Sequence, residues 1–300
     1  MMNRVCMALA VALLAPIAVQ GQANEGAIKK QLGALNFYGG MRGGPPAMAD
    51  ADRALAIGNL SKDIASLPPG TKKVEYADQL AVISTQGQNG AEAMQSAADT
   101  LAAALKESPQ PAAKDGLPAH PYIELARMAR YAGVKTSLND PMLDKAAQAV
   151  LADEAEVQKA DFTLKDLDNK KVTLSALKGK IVLVNFFATD CSACMRETQD
   201  LELIHEHYAN QGLVILRITE ENPAQVYKIM SHMNFKPQVL FDNGGMGFYG
   251  AAGKAFHIDG EPRTFVFDRD GKLVAESLDM CSQRQFFSML GRAGLKPEQH

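Results

Sequence analysis

Between Ala47 and Lys159 apolar positions recur every three or four residues, and stop signals cut the run into five segments. The first predicted helix covers about 47–67 and ends at Pro68-Pro69-Gly70. The second, about 72–85, carries Val74, Leu80 and Ile83 and ends near Gly87. A third, about 91–106, sets Met94, Ala98, Leu101 and Leu105 on one stripe before Pro109, and a fourth, about 121–131, stops at Gly133. A fifth opens after Asn139-Asp140-Pro141, a cap residue and an early proline, and runs to about Val157. Strand signals are nearly absent, so residues 47–159 predict an all-helical domain.

At Asp161 the period changes. Phe162 to Leu174 reads as two short strands around an Asp168-Asn169 turn. Ile181-Val-Leu-Val-Asn-Phe-Phe187 is the unbroken apolar run of a strand buried on both faces. From Cys191 the spacing becomes helical, with Cys194, Thr198, Leu201, Ile204 and Tyr208 on one face. Leu213–Ile218 reads as the next strand and Asn222-Pro223 opens another helix, to about Met233. A strand–helix–strand crossover of this kind builds an open sheet covered by helices. Thr264–Phe267 and Leu273–Ala275 form a hairpin around Asp268–Gly271, and a last helix covers about 282–292. The glycine-rich stretch Asp242–Gly253 predicts a flexible connection. Residues 160–300 are thus a second, α/β domain.

The N-terminus carries a different pattern. Arg4 precedes an apolar run, Val5–Val19, and the small residues Gly21 and Ala23 occupy the positions a signal peptidase reads. Residues 1–23 therefore predict an export signal cut before Asn24, and with it a periplasmic location. The run is short for a spanning helix, which needs about 20 residues, so an uncleaved anchor is the lesser alternative. Residues 24–46, which include Gly39-Gly40-Met41-Arg42-Gly43-Gly44-Pro45-Pro46, predict a flexible segment. With 47% hydrophobic and 22% charged residues the composition is that of a globular protein. The net charge of -3, with scattered Lys and Arg, argues against nucleic acid as a partner.

Removal of the signal takes Cys6 with it and leaves Cys191, Cys194 and Cys281: one pair and one cysteine over. Cys191-Ser192-Ala193-Cys194 stands where a buried strand passes into a helix. Unpaired N–H groups and the macrodipole at a helix N-terminus favour an anion, which lowers a thiol's pKa and activates Cys191 as nucleophile. Cys194, one turn further in, is placed to resolve a mixed disulfide. A zinc site would need two more ligands, for which only Cys281 and one of His205, His207 or His257 present themselves. A purely structural disulfide would close a loop too small to stabilise much. The redox reading needs no bound cofactor and no metal.

Gly179-Lys-Ile-Val-Leu-Val-Asn-Phe-Phe-Ala-Thr-Asp-Cys-Ser-Ala-Cys-Met-Arg-Glu197 resembles the active-site segment of the TlpA/ResA-type thioredoxin-like proteins, and Ile258-Asp-Gly-Glu-Pro-Arg-Thr-Phe-Val-Phe-Asp268 resembles a second segment of the same family. The resemblance spans about 161–295. It implies a thioredoxin-like fold, with a central mixed sheet flanked by helices, and an exported thiol–disulfide oxidoreductase; several members reduce partner cysteines during cytochrome maturation. It further implies protein substrates with disulfides, a membrane thiol donor, a cis peptide bond before Pro262 with Glu261 and Pro262 at the substrate-binding turn, and a proton-handling role for Glu197. The plainer alternative for Glu197 is an acidic residue favoured in the early turns of a helix.

Departures from the family pattern fall around the pair. Asp190 stands where an aromatic residue is usual, and its carboxylate opposes thiolate formation at Cys191. Ser192-Ala193 replaces the usual proline-containing spacer, and Asn185 occupies the strand position where thioredoxin has a buried Asp. Cys281 reads as a small buried hydrophobe, with intermolecular pairing or a shuttle role as alternatives. Thr189-Asp190-Cys191 bears a faint likeness to the peroxiredoxin threonine–cysteine pair. The competing functions are therefore a disulfide isomerase or oxidase dimerised by the helical domain, a partner-binding protein with a regulatory redox site, and a peroxidase. The helical domain either binds a partner or self-associates.

Overall fold

A computed structural model describes residues 17–35, 48–87, 89–114, 116–231, 237–245, 249–277 and 279–296. The first half of the chain is helical: α1 (Ile17–Leu35), α2 (Asp50–Ala65), α3 (Thr71–Thr85), α4 (Gly90–Glu107), α5 (His120–Arg127), continued by a π turn Met128–Ala132, and α6 (Pro141–Val157). The ends follow the sequence punctuation. Asp140 caps α6, its carboxylate accepting the Met142 N–H at 2.8 Å beside Pro141. Gly133 takes up the left-handed conformation (φ 72°) that ends the π turn. The stripe Ala97, Ala98, Leu101, Ala104 and Leu105 of α4 is small enough to let α2 and α3 pack closely against it. Arg53 is buried among these helices and donates to the Leu35 carbonyl and, at 3.0 Å, to the Ile83 carbonyl.

Residues 24–46 are not uniformly flexible. Helix α1 crosses the Ala23–Asn24 bond and continues to Leu35, burying Ile28, Leu32 and Leu35 in the same core as Leu60 and Leu80. The reason is local: glycine and proline concentrate at 39–46, whereas Ile28, Leu32 and Leu35 form an i, i+4, i+7 stripe. The 39–46 stretch and the predicted signal up to Pro16 lie outside the described residues. Among the described residues no helix is long and apolar enough to cross a membrane.

The second half is a seven-stranded mixed sheet in the order β2-β1-β5-β4-β3-β6-β7. Its strands are β1 (Thr163–Asp166), β2 (Lys171–Thr173), β3 (Ile181–Phe186), β4 (Leu213–Thr219), β5 (Gln238–Phe241), β6 (Arg263–Phe267) and β7 (Leu273–Glu276). The neighbours β3, β4 and β5 run parallel; β6 lies antiparallel to β3 on the other side. The helices are α7 (Ser192–Tyr208), α8 (Pro223–Met230), α9 (Ala251–Ala255) and α10 (Gln283–Arg292). This is the thioredoxin-like arrangement.

Strand periodicity decides what faces the site. Ile181 and Leu183 of β3 and Leu213 and Ile215 of β4 pack beneath α7 and α10. Val182, Val184, Phe186, Leu216 and Ile218 point to the opposite face, onto Phe256 and Phe265. Alternation therefore carries Asn185 and Arg217 to the α7 side.

Besides α1, the short elements β5 and α9 are absent from the sequence reading: β5 has only four residues, and the glycines of 242–253 concealed α9. The described part of that stretch is ordered by specific contacts. Asn243 bridges to Tyr249, the Asp242 carboxylate accepts the Gly253 N–H at 2.7 Å, and a side chain at Gly253 would collide with Tyr249. The glycine there permits close packing.

The two halves touch along a polar seam. Gln86 Nε2 donates to Asp279 Oδ2 at 2.7 Å, Gly87 N–H to the Met280 carbonyl at 3.2 Å, and Gln285 Nε2 to the Thr85 carbonyl at 3.0 Å. Arg127 reaches Glu276 at 3.3 Å, and Leu273 N–H donates to Gln158 Oε1 at 2.7 Å.

Candidate active site

Strand β3 delivers the chain to the N-terminus of α7, and Cys191 occupies the cap position there. Its sulfur accepts the Cys194 N–H at 3.1 Å. Cys191 and Cys194 form a disulfide, with Cα atoms 5.2 Å apart and three residues of separation, the reach of one helical turn. The two sulfurs differ in access: Cys191 is half-buried and Cys194 fully buried. Cys191 Sγ lies 3.8 Å from the Glu261 carbonyl oxygen, and the Glu261–Pro262 peptide bond is cis. The fold thus brings Cys191, Cys194, Glu261 and Pro262 to one place.

Behind the disulfide lies a buried polar row set by strand register. Asn185 of β3 is paired with Arg217 of β4 on one side and with Thr264 of β6 on the other. Its Nδ2 donates to Glu197 Oε2 at 2.8 Å and to Thr264 Oγ1 at 2.9 Å, and its Oδ1 accepts Arg217 Nε at 2.8 Å. Arg217 also donates to Thr198 Oγ1 at 2.6 Å and to the Cys194 carbonyl at 3.3 Å, while its guanidinium stacks 3.8 Å from the centre of the Phe187 ring. Glu197 Oε1 accepts the Cys281 N–H at 2.6 Å. The carboxylate is therefore one helical turn from Cys194 and linked to the Cys194 carbonyl through Asn185 and Arg217.

Burial governs the acid strengths here. Loss of water pushes Glu197 up to about 8, against the hydrogen bond from Cys281, the Arg217 charge and the Asn185 hydrogen bond, which favour its charged form. Burial likewise lowers Arg217 to about 10, and Glu197 opposes that shift. The buried Cys281 thiol is pushed up, first by burial and then by the nearby Glu197 and Asp279 charges. A carboxyl group titrating near neutrality beside a buried thiol is suited to passing a proton.

The mouth of the site is acidic. Asp190 is exposed beside Cys191, while Glu220, Glu221 and Glu261 are half-buried. Burial raises Glu261 and Glu220; Tyr249 hydrogen-bonds to both, which holds their pKa values down, and neighbouring carboxylates push them up. Glu221 accepts the Thr189 N–H at 2.7 Å and the Thr189 hydroxyl at 2.5 Å. Arg217, Thr198, Thr264, Glu220, Glu221 and Tyr249 were not singled out as site residues from sequence. Arg217 left a signal: a lone charge inside Leu213-Val-Ile-Leu-Arg-Ile218, where a buried strand admits charge only with partners.

His257 pairs with Asp153 at 2.6 Å, and His207 Nδ1 lies 2.7 Å from the Leu203 carbonyl oxygen. Among the described residues no group of three or more His, Cys, Asp or Glu is placed to hold a metal ion. Cys281 is buried, its sulfur 3.9 Å from Met289 Sδ.

The C-terminal half is similar to known proteins. Residues 156–276 match the AhpC/TSA family model. The chain is 28% identical over 145 residues to the thiol-disulfide oxidoreductase ResA of Bacillus anthracis, covering 46% of this chain and 80% of that protein. It is 29% identical over 115 residues to ResA of Bacillus subtilis (strain 168), covering 38% and 62%. Among solved structures, a thiol:disulfide interchange protein of the thioredoxin family from Chlorobium tepidum TLS is 26% identical, with a TM-score of 0.38, over 44% of this chain and 92% of that one. The C-terminal half has the thioredoxin-like fold and resembles thiol–disulfide oxidoreductases of the TlpA/ResA type. With its disulfide-forming Cys-x-x-Cys pair, the protein is a thiol–disulfide oxidoreductase.

Proposed function

We propose that the protein is an exported reductase of protein disulfides, working by two successive exchanges at Cys191 and Cys194. The carrying observation is the asymmetry of the pair: Cys191 accessible, at a helix N-terminus and beside the Glu261 carbonyl, and Cys194 buried one turn behind. In the reduced protein the Cys191 thiolate attacks one sulfur of a substrate disulfide. The substrate S–S bond breaks, a mixed disulfide forms, and the departing substrate thiolate takes up a proton. Glu197 then accepts the Cys194 proton, the Cys194 thiolate attacks Cys191 Sγ, and the substrate leaves with its second thiol. Two electrons have passed from the pair to the substrate. A thiol donor at the membrane restores the dithiol and reopens the cycle. Export is supported by the sequence of residues 1–23.

The cis-proline turn and the backbone beside Glu261 offer an edge for an extended substrate segment. Peroxide reduction finds less support, because the Thr189 hydroxyl is engaged by Glu221. The test is trapping. Cys194→Ser is expected to accumulate a mixed disulfide with a disulfide-containing protein substrate, visible by non-reducing electrophoresis and mass spectrometry, and Cys191→Ser to accumulate none. Trapping through Cys194 in the Cys191→Ser variant would reverse the assigned roles.

A further inference from the structure

The carboxylate behind the disulfide does not depend on the α/β half alone. Its Oε1 partner is the backbone N–H of Cys281, and the segment 279–281 that presents this N–H is held from the other side of the seam. Gln86 Nε2 donates to Asp279 Oδ2 at 2.7 Å and Gly87 N–H to the Met280 carbonyl at 3.2 Å. Gln285, which closes a capping box with Ser282 directly after the segment, donates its Nε2 to the Thr85 carbonyl at 3.0 Å. Three hydrogen bonds therefore join the 85–87 turn of the helical half to Asp279, Met280 and Gln285, which bracket the Cys281 N–H that touches Glu197.

We propose that Gln86 and Gln285 are positioning residues for the proton step: by tying segment 279–282 to the helical half, they hold the Cys281 N–H on Glu197 Oε1. The helical half thereby acts on the chemistry without contacting substrate. This rests on the proton role given to Glu197 above. The physical basis is that a hydrogen bond to a buried carboxylate favours its charged form, and a segment free to drift weakens that bond. The charged and titratable groups facing Glu197 are Arg217 from β4, Asp279 and Cys281 from the seam segment, and Cys194 from its own helix. Arg263 of β6 acts on the Asp279–Cys281 side.

The experiment is a pH titration of the Glu197 carboxyl group by carbon-13 NMR in the oxidised full-length protein, where Cys191 and Cys194 do not titrate. The signal is assigned by its loss in Glu197→Gln. Gln86→Leu removes one tie without changing charge. Gln285→Met removes another, again without adding charge that would itself shift Glu197. Both are expected to move the Glu197 midpoint upward, by about one pH unit, the scale of one weakened charge-assisted hydrogen bond. Asp153→Asn, in the exposed pair with His257 on another part of the contact, is expected to leave it in place. An unmoved midpoint in both folded glutamine variants, or an equal shift in Asp153→Asn, would overturn the proposal. The parent reading fails separately, if Glu197→Gln leaves the rate of mixed-disulfide resolution unchanged.

Discussion

Arg53 of the helical half and Arg217 of the sheet half are both fully buried, and the two are used differently. Arg53 in the helical half donates to the Leu35 and Ile83 carbonyls at the ends of α1 and α3, adding a donor to the Ile83 carbonyl that also accepts the Gln86 N–H at 3.2 Å. Arg217 in the sheet half donates to the Cys194 carbonyl but is held chiefly by side chains: Asn185, Thr198 and, through charge, Glu197. The first arrangement joins three helices through backbone carbonyls. The second surrounds a carboxyl group whose charge can change at neutral pH. A buried charge satisfied by backbone serves the fold, whereas one satisfied by titratable and rotatable groups ties the fold to chemistry.

The comparison breaks most sharply on Arg217→Met. Removing it leaves Glu197 and Asn185 without their partner in a buried network, and the expected loss is about 4 kcal/mol of stability. Denaturant unfolding checks that loss. The same variant is expected to push the Glu197 midpoint above about 8 and to slow disulfide exchange. Arg53→Met is expected to cost about 3 kcal/mol, since two buried carbonyls lose a donor. Its exchange rate, measured where the variant remains folded, is expected to match the parent protein. A slowed Arg53→Met or an unaffected Arg217→Met would erase the distinction.

A smaller effect sharpens it. Burial raises the Glu197 carboxyl from its ordinary 4.5 to about 8, so the folded protein holds that proton more tightly than the unfolded chain does. The corresponding stability is fully present below about pH 4.5 and is lost as pH rises through about 8. Thermal unfolding of Glu197→Gln against the parent from pH 5 to pH 9 is expected to show the variant gaining relative stability with rising pH. A difference that does not vary with pH would place Glu197 outside the titrating groups of the fold.

How much of this was legible in the sequence varied with the range of the signal. Helix ends at Pro68, Gly133 and Pro141 follow local rules, and α2 to α6 lie where those signals put them. The Cys191–Cys194 spacing, the apolar strand Ile181–Phe186 and the Pro262 segment were equally local. Helix α1 was hidden because the glycines and prolines of 39–46 coloured the reading of the residues before them, although Ile28, Leu32 and Leu35 are helically spaced. Strand β5 and helix α9 are too short for periodicity to show. The polar row Arg217–Asn185–Thr264 could not be read, because it exists only once three strands are in register. Nor could the link from Gln86 to Glu197, which spans the two halves.

The central claim is that Cys191 and Cys194 cycle as a two-electron pair while Cys281 remains a thiol. The direct measurement equilibrates the protein in dithiothreitol or glutathione buffers, with alkylation and peptide mass spectrometry locating each free cysteine. The account predicts a single two-electron transition confined to Cys191 and Cys194, with a potential near or below about -270 mV, the range of a reductant. A value near about -120 mV would make the protein an oxidant. A pair that never forms its disulfide, or a disulfide formed instead through Cys281, would contradict the account outright.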